Sequence, residues 1–268
     1  MLARAASLDV IPNIVRQGET VRVTAPAAAA SARLGGRTIR LFPQEGGTFG
    51  LMPIPAAEKP GKYVLEALDG SEAVIGSATI TVRDAHYPSQ NLSISQALSE
   101  LKPSPGETET VAEFRNRVSD TRSWKEPFTA PVSGCMTSRF GVRRLHNGKD
   151  TGDYHGGLDL RARQGDPIRA TTAGTVIVAR QFELHGGTVG IDHGQGLASM
   201  YLHMSRIAAV EGATVQQGDV IGYAGSTGRS TAPHLHWSLY VNGIPVSPSQ
   251  WAPVRSCYSG AGRGAPKK

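Results

Sequence analysis

The segment Gly212–Trp237, GATVQQGDVIGYAGSTGRSTAPHLHW, closes on a strand-like run with two histidines two residues apart. On a β-strand, residues i and i+2 project to the same face. His234 and His236 therefore stand side by side, ~7 Å apart by strand rise, while Leu235 points into a core. Two imidazoles in an apolar strand are costly unless they have partners. One member of such a pair is placed to bind a metal, and its neighbour to reach a water on that metal. Ahead of them, glycines break the segment into short runs, which read as strands and turns.

Outward from this pair, residues 131–248 continue as glycine-rich β-structure, in runs such as ATTAGTVIVAR, GGTVGIDHG and ASMYLHMS. Six of the eight histidines fall between His155 and His236. HGGLD, residues 155–159, separates His155 from Asp159 by four positions, but Gly156 and Gly157 argue against a helix. Those glycines let the backbone turn so that both side chains meet one point. YLHM supplies His203. A carboxylate with two imidazoles is a common catalytic zinc set, and three protein ligands leave a fourth position for water. Zinc lowers the pKa of that water to about 7.

Glycine at 32 and proline at 17 of 268 residues argue against a helical bundle and for a mostly β, turn-rich chain. At roughly 150 residues per domain the length predicts about two domains. Residues 1–85 read as a β-sandwich of immunoglobulin-like type. In it Val21 and Val23 face one side against Arg22 and Thr24, and Ile80 and Val82 alternate with Thr79, Thr81 and Arg83. No histidine or cysteine precedes residue 85, so this accessory domain carries no visible chemistry. Residues 86–130 read as a partly helical connector. Leu92, Ile94, Leu98 and Leu101 form a short helical pattern. Ser104, Pro105 and Glu107 match N-cap, N1 and N3 of a capping box, and Val111, Phe114 and Val118 continue a second helix to about residue 119. Residues 131–255 are the domain with chemistry, and 256–268 a basic, flexible tail.

The formal charge is +6, and residues 131–268 hold all of that excess, with 14 Lys/Arg against 8 Asp/Glu. A basic surface points to an anionic partner: nucleic acid, an anionic membrane or a cell-wall polymer. No Lys/Arg run interleaves with aromatics, so nucleic acid is not expected. Cys135 and Cys257 have no zinc-type spacing. They are either free buried thiols or a disulfide closing a loop of about 120 residues, which requires an oxidising compartment. No run approaches the ~20 apolar residues of a membrane helix, and MLARAASLDV is too short and polar for a secretory h-region.

The segments SRFGVRR (138–144), HGGLDLRARQGDPIRATTAGTV (155–176), GTVGIDHGQG (187–196), YLHMS (201–205), GATVQQGDVIGYAGSTGRSTAPHLHW (212–237) and NGIPVSP (242–248) follow one another without a large gap. Together they resemble the lysostaphin-type, LytM-like zinc metallopeptidases, which cut peptide bonds in bacterial peptidoglycan. The resemblance implies a compact antiparallel β-fold with a groove over zinc. It implies His155, Asp159 and His236 as the zinc ligands, and His203 and His234 as non-ligand catalytic histidines, one a general base and the other positioning water or stabilising an oxyanion. It further implies a periplasmic, extracellular or cell-envelope location and peptidoglycan as the partner. Two positions depart from the family pattern: Ala232 where a glycine is frequent, and Ser238 where an acidic residue often orients a zinc-bound imidazole.

The remaining candidates read more blandly. His193 is expected to be structural, His185 to line the groove, and His146 and His86 to lie on the surface. Tyr201 and Tyr154 are candidate oxyanion donors. Arg139 and Arg143 face either the groove or a salt-bridged scaffold. The reading is a zinc-dependent endopeptidase of peptidoglycan. The alternative is a non-catalytic regulator or wall-binding activator of another hydrolase, a type of relative that typically lacks the zinc ligands this chain keeps.

Overall fold

A computed structural model describes residues 8–258. The N-terminal region is two facing sheets. One has the strand order Asp9–Ile11, Thr20–Ala25, Gly47–Pro53, Phe42–Gln44; the other runs Ile14–Arg16, Val74–Arg83, Gly61–Leu68, Ser31–Leu34, Arg37–Arg40. The alternation expected from sequence holds: Val21, Val23, Ile80 and Val82 are buried between the sheets with Leu34, Ile54 and Leu65. Phe49 and Leu51 leave this core and join that of the C-terminal region, together with Trp124, Phe128 and Trp251. Asn242 Nδ2 donates to the Leu51 carbonyl at 2.8 Å, and Gln250 exchanges two hydrogen bonds with the backbone of Thr20. The N-terminal sheets thus rest directly on the C-terminal core.

The C-terminal region is built on one antiparallel sheet in the order Met136–Ser138, Leu158–Arg161, His234–Val241, Leu197–Met204, Gly187–Gly194, Gly174–Gln181, Thr214–Val215, with Ile244–Val246 added beside His234–Val241. Every residue of the Gly187–Gly194 and Leu197–Met204 strands is buried, because both faces of the sheet are covered. One face meets the main core. The other packs Ala198, Met200 and Leu202 against Val111 and Phe114 of a connector helix. Gly190 is needed there, since a Cβ would lie 2.9 Å from the Phe114 ring. A small sheet pairs Ser89–Leu92 of the connector in parallel with Arg143–His146, which in turn pairs with Lys149–Tyr154.

The connector departs from expectation at several points. Its first helix, α1, is only Gln96–Ser99, and Leu92 ends a strand instead. The second, α2, spans Glu107–Arg115 with Gly106 at its N-cap, where φ is +76°. Glu107 does reach back to the Ser104 N–H at 2.7 Å, as a capping box requires, but the Ser104 hydroxyl donates to the same carboxylate instead of capping the helix. Val118 lies beyond α2 and is exposed. The chain leaves the helix because residues 119–123 pair with the turn after Asp192: Gln195 N donates to the Ser119 carbonyl and Ser123 N to the His193 carbonyl. Trp124 and Phe128 then enter the C-terminal core.

Cys135 and Cys257 form a disulfide, and Met136 exchanges backbone hydrogen bonds with Arg255 and Cys257. The chain from residue 256 is therefore pinned as far as Cys257, against the expectation of a flexible tail from that point. The basic residues Arg263, Lys267 and Lys268 lie outside the described residues.

Glu107 is fully buried. Its carboxylate also accepts from the backbone N–H of Leu184 and His185, and from His185 Nδ1 at 2.6 Å. Burial alone would raise its pKa, but the hydrogen bonds from His185 and Ser104 outweigh that and hold it at about 2. Glu107→Gln should lower stability by about 2 kcal/mol in denaturant unfolding. A depressed carboxylate pKa contributes its full stability above the unfolded value and loses it as the pH falls through the folded one, so the difference from wild type should be full above pH 4.5 and close as the pH falls toward about 2. The disulfide spans 122 residues. A thiol reductant should therefore lower the thermal midpoint, by the equivalent of up to ~5 kcal/mol.

Candidate metal centre and its groove

Strand register assembles the site. Where Leu158–Arg161 pairs with His234–Val241, Asp159 lies opposite His236 and Arg161 opposite His234, and all four line one groove. Leu160 and Leu235 pair on the other face and are fully buried. His155 arrives from the turn ahead of the first strand, and that turn needs Gly157. A Cβ there would sit 2.4 Å from the Trp237 carbonyl oxygen and 2.8 Å from His236 Nε2. His155 Nε2, Asp159 Oδ1 and His236 Nδ1 form a triangle with sides of 3.0, 3.0 and 3.1 Å.

Each corner is held from behind. The Arg139 carbonyl accepts from His155 Nδ1 at 2.8 Å, so the proton is on Nδ1 and Nε2 presents a lone pair. Ser238 Oγ is 2.8 Å from His236 Nε2, which leaves Nδ1 facing the centre. The sequence departure at Ser238 thus keeps a hydrogen-bonding partner on this imidazole. Arg144 Nη2 donates to Asp159 Oδ2 at 2.7 Å. Burial alone would raise the Asp159 pKa, but the His155 and His236 imidazoles hold it well below the usual carboxylate range. Electron-pair donors aimed at one point repel unless a cation lies between them. Tetrahedral bonds of about 2.0–2.1 Å hold donors about 3.3 Å apart, close to the observed triangle, so this two-imidazole, one-carboxylate set fits a divalent metal ion.

His203 and His234 flank this triangle. Their rings are 5.0 Å apart, and that of His203 is 6.3 Å from His236. Strict alternation would send His203 into the core with Tyr201. Instead Gly187 pairs with Met204 and Val189 with Tyr201, so two residues oppose one in a β-bulge, and His203 adopts φ +64°. This turns its ring into the groove. His203 Nδ1 donates to the Thr227 carbonyl and His234 Nδ1 to the Ala232 carbonyl, each at 2.8 Å, leaving both Nε2 atoms as acceptors. Burial, with His234 and His236 nearby, lowers the His203 pKa to about 3, so this imidazole is neutral at pH 7.

The groove has a volume of about 740 Å³ and brings together His155, Asp159, His203, His234, His236, His185 and Tyr154. Other expectations need correction. His146 lines the groove instead of the open surface, whereas His86 is exposed. His193 is structural as expected: it bonds the Ala173 carbonyl and Ser199, and burial pushes its pKa down to about 4. Tyr201 is no oxyanion donor in this geometry. It is fully buried, its hydroxyl accepts from Thr171 N and the Ser199 hydroxyl, and burial raises its pKa to about 12. Arg139 donates to the His86 carbonyl, and Arg143 pairs with Asp150. Of the arginines in SRFGVRR it is Arg144 that reaches the site, because alternation along Arg143–His146 turns residues 144 and 146 to the groove. That strand period was the available signal for it. Nothing local in the sequence signalled Leu92, Ile94 and Leu98 of the connector, which also line the groove.

Residues 153–248 match the model of peptidase family M23. This segment is an M23 peptidase domain. DD-carboxypeptidase/endopeptidase Mpg of Neisseria meningitidis is 42% identical over 113 residues, 42% of this chain and 26% of that protein. Peptidoglycan DD-endopeptidase ShyA of Vibrio cholerae is 38% identical over 112 residues, again 42% of this chain and 26% of that protein. The chain thus spans about a quarter of the length of these curated relatives. A crystal structure from Pseudomonas aeruginosa assigned to peptidase M23 superposes with a TM-score of 0.65 at 28% identity, over 88% of this chain and 93% of that one. That coverage extends the likeness beyond the M23 segment into the N-terminal half. The M23 likeness bears out the LytM-like resemblance and the mostly β-fold. It does not reach the immunoglobulin-like assignment of the N-terminal sandwich.

Two substitutions probe the triangle directly. Ser238→Ala should weaken metal binding about ten-fold in chelator competition. Gly157→Ala should weaken it further, because its Cβ displaces His236.

Proposed function

We propose that the protein is a zinc-dependent endopeptidase that hydrolyses peptide bonds in bacterial peptidoglycan, in the periplasm or at the cell envelope. The observation that carries this reading is the His155–Asp159–His236 triangle beside two further histidines whose Nε2 atoms are free to accept protons. The peptidoglycan-acting names of the M23 relatives support the substrate class. The unit proposed for the activity is residues 131–255, with 86–130 as connector and 1–85 as an immunoglobulin-like accessory domain.

His155, Asp159 and His236 would hold the metal. Zinc supplies Lewis acidity towards a carbonyl and acidifies a coordinated water. His203 and His234 stand beside that position without belonging to the triangle. Each is fixed in one tautomer by a backbone carbonyl, so each presents Nε2 as a base. One accepts the proton of the attacking water, and the pair can return a proton to the departing amine. The bulge at His203 and the carbonyl contacts from Thr227 and Ala232 set both rings before substrate arrives, which removes reorganisation from the reaction. Arg144 keeps Asp159 oriented through Oδ2.

Purified protein should hold about one zinc per chain and release muropeptides from isolated sacculi. His155→Ala should lose both the metal and the release. His234→Ala should keep the metal and lose activity by at least ~100-fold. Mass analysis of the muropeptides reads out the scissile bond. Wild-type protein that binds no zinc and releases nothing would exclude the proposal.

A further inference from the structure

The cations around the groove are not equally satisfied. Arg143 pairs with Asp150, Arg144 with Asp159, and Arg115 donates to the Gly243 carbonyl while lying over the Tyr240 ring. Arg161 and Arg229 differ. Both line the groove, and among the described residues neither guanidinium has a hydrogen-bond acceptor or an ion-pair partner. The backbone places both beside His234. Arg161 is in register opposite it, on the strand that carries Asp159. Arg229 sits in the loop that runs into it, where Ser230 Oγ and the Ala232 carbonyl lie 3.3 Å and 2.8 Å from His234 Nδ1.

The loop bearing Arg229 is held firmly. Arg229 N donates to the Leu184 carbonyl at 2.9 Å, and the Thr227 hydroxyl donates to the Met204 carbonyl at 2.7 Å. Gly228 approaches Gly186 so closely that a Cβ on it would lie 2.4 Å from the Gly186 nitrogen, and its φ is +72°. Arg161 projects from a strand paired on both sides. The two guanidiniums are therefore mounted on rigid backbone, the arrangement that makes charged recognition specific. His146, on the same groove, has its pKa lowered by burial and by the positive charges of Arg229 and Arg144, against the opposing charge of Asp153. Asp153 is the acidic groove residue outside the metal triangle.

We infer that Arg161 and Arg229 form a carboxylate-binding subsite at the His234 end of the groove. The ligand chemistry is a peptide with a free carboxylate close to the scissile amide. The Asp159-to-Arg161 step along one strand face covers ~7 Å. An extended peptide whose carbonyl sits at the metal centre spans that distance in about two residues. Guanidinium groups suit the partner, since they bind carboxylates bidentately and stay charged at all working pH. This inference rests on the peptidase reading for the identity of the ligand.

The test uses two synthetic cross-linked peptides. One carries a free carboxylate about two residues from the scissile amide, and the other has a carboxamide there. Calorimetry on chelator-treated full-length protein should show about ten-fold tighter binding of the carboxylate form. Arg161→Gln and Arg229→Gln should each erode that preference, and the double variant should abolish it, while affinity for the carboxamide form stays unchanged. Zinc-loaded protein should show the same preference in kcat/KM. Equal binding of the two peptides by wild type, or equal losses on both peptides in the variants, would overturn the subsite. Absence of muropeptide release by the zinc-loaded wild type would sink the peptidase reading instead, and calorimetry would still decide the carboxylate question.

Discussion

The pairing of Leu158–Arg161 with His234–Val241 is the constraint on which the site depends. It is a register in which Asp159 meets His236 and Leu160 meets Leu235. A slip of one residue would send Asp159 and His236 into the core and two leucines into the groove. The buried leucines therefore enforce the polar face as much as the polar face uses it. Because the register is stabilised by apolar burial on the far side of the sheet, the donor triangle is assembled without spending ligand contacts on folding.

A second layer gives these groups their direction. Backbone carbonyls of Arg139, Thr227 and Ala232 each accept from an imidazole Nδ1, which sets the tautomers of His155, His203 and His234. These carbonyls come from two loops, one after Met136–Ser138 and one ahead of His234, so the proton positions are a property of loop packing and not of side-chain identity. Glu107 extends the same logic into the connector. Its buried carboxylate ties α2 to the loop of Leu184 and His185, and His185 lines the groove. The Thr227 and Gly228 contacts fasten the next loop to that one. A continuous path of hydrogen bonds and close backbone contacts thus runs from the connector helix to the histidines.

The N-terminal sheets and the connector are structural parts of this arrangement. Phe49 and Leu51 enter the C-terminal core, Trp124 and Phe128 complete it, and Leu92, Ile94 and Leu98 form part of the groove wall. Segments outside the M23-matched residues therefore shape the space into which a substrate enters. Loops and walls of this kind, mounted on a rigid sheet, are where specificity is expected to reside.

The sequence alone determined the β-character and the alternation in the sandwich, which rest on local spacing such as Val21 with Val23 on one face. Spacing also brought His234 and His236 to one face, while the choice of His155, Asp159 and His236 as the donor set came from the resemblance of the whole segment to a family. The sequence also marked His193 as structural and His185 as a groove residue. Only the tertiary structure decided what depends on distant contacts. Helix α2 ends at Arg115 because residues 119–123 are drawn to the turn after Asp192. His203 reaches the groove through a bulge that strand periodicity would deny it, and Tyr201 stays in the core because it follows that periodicity. Arg144 replaces Arg143 at the site because neighbouring residues on a strand point to opposite faces, and the phase of that alternation is set by pairing with another strand. The Cys135–Cys257 bond was open in the sequence, since no spacing tells whether two cysteines 122 residues apart meet; pairing of Met136 with the Arg255–Cys257 backbone brings them together.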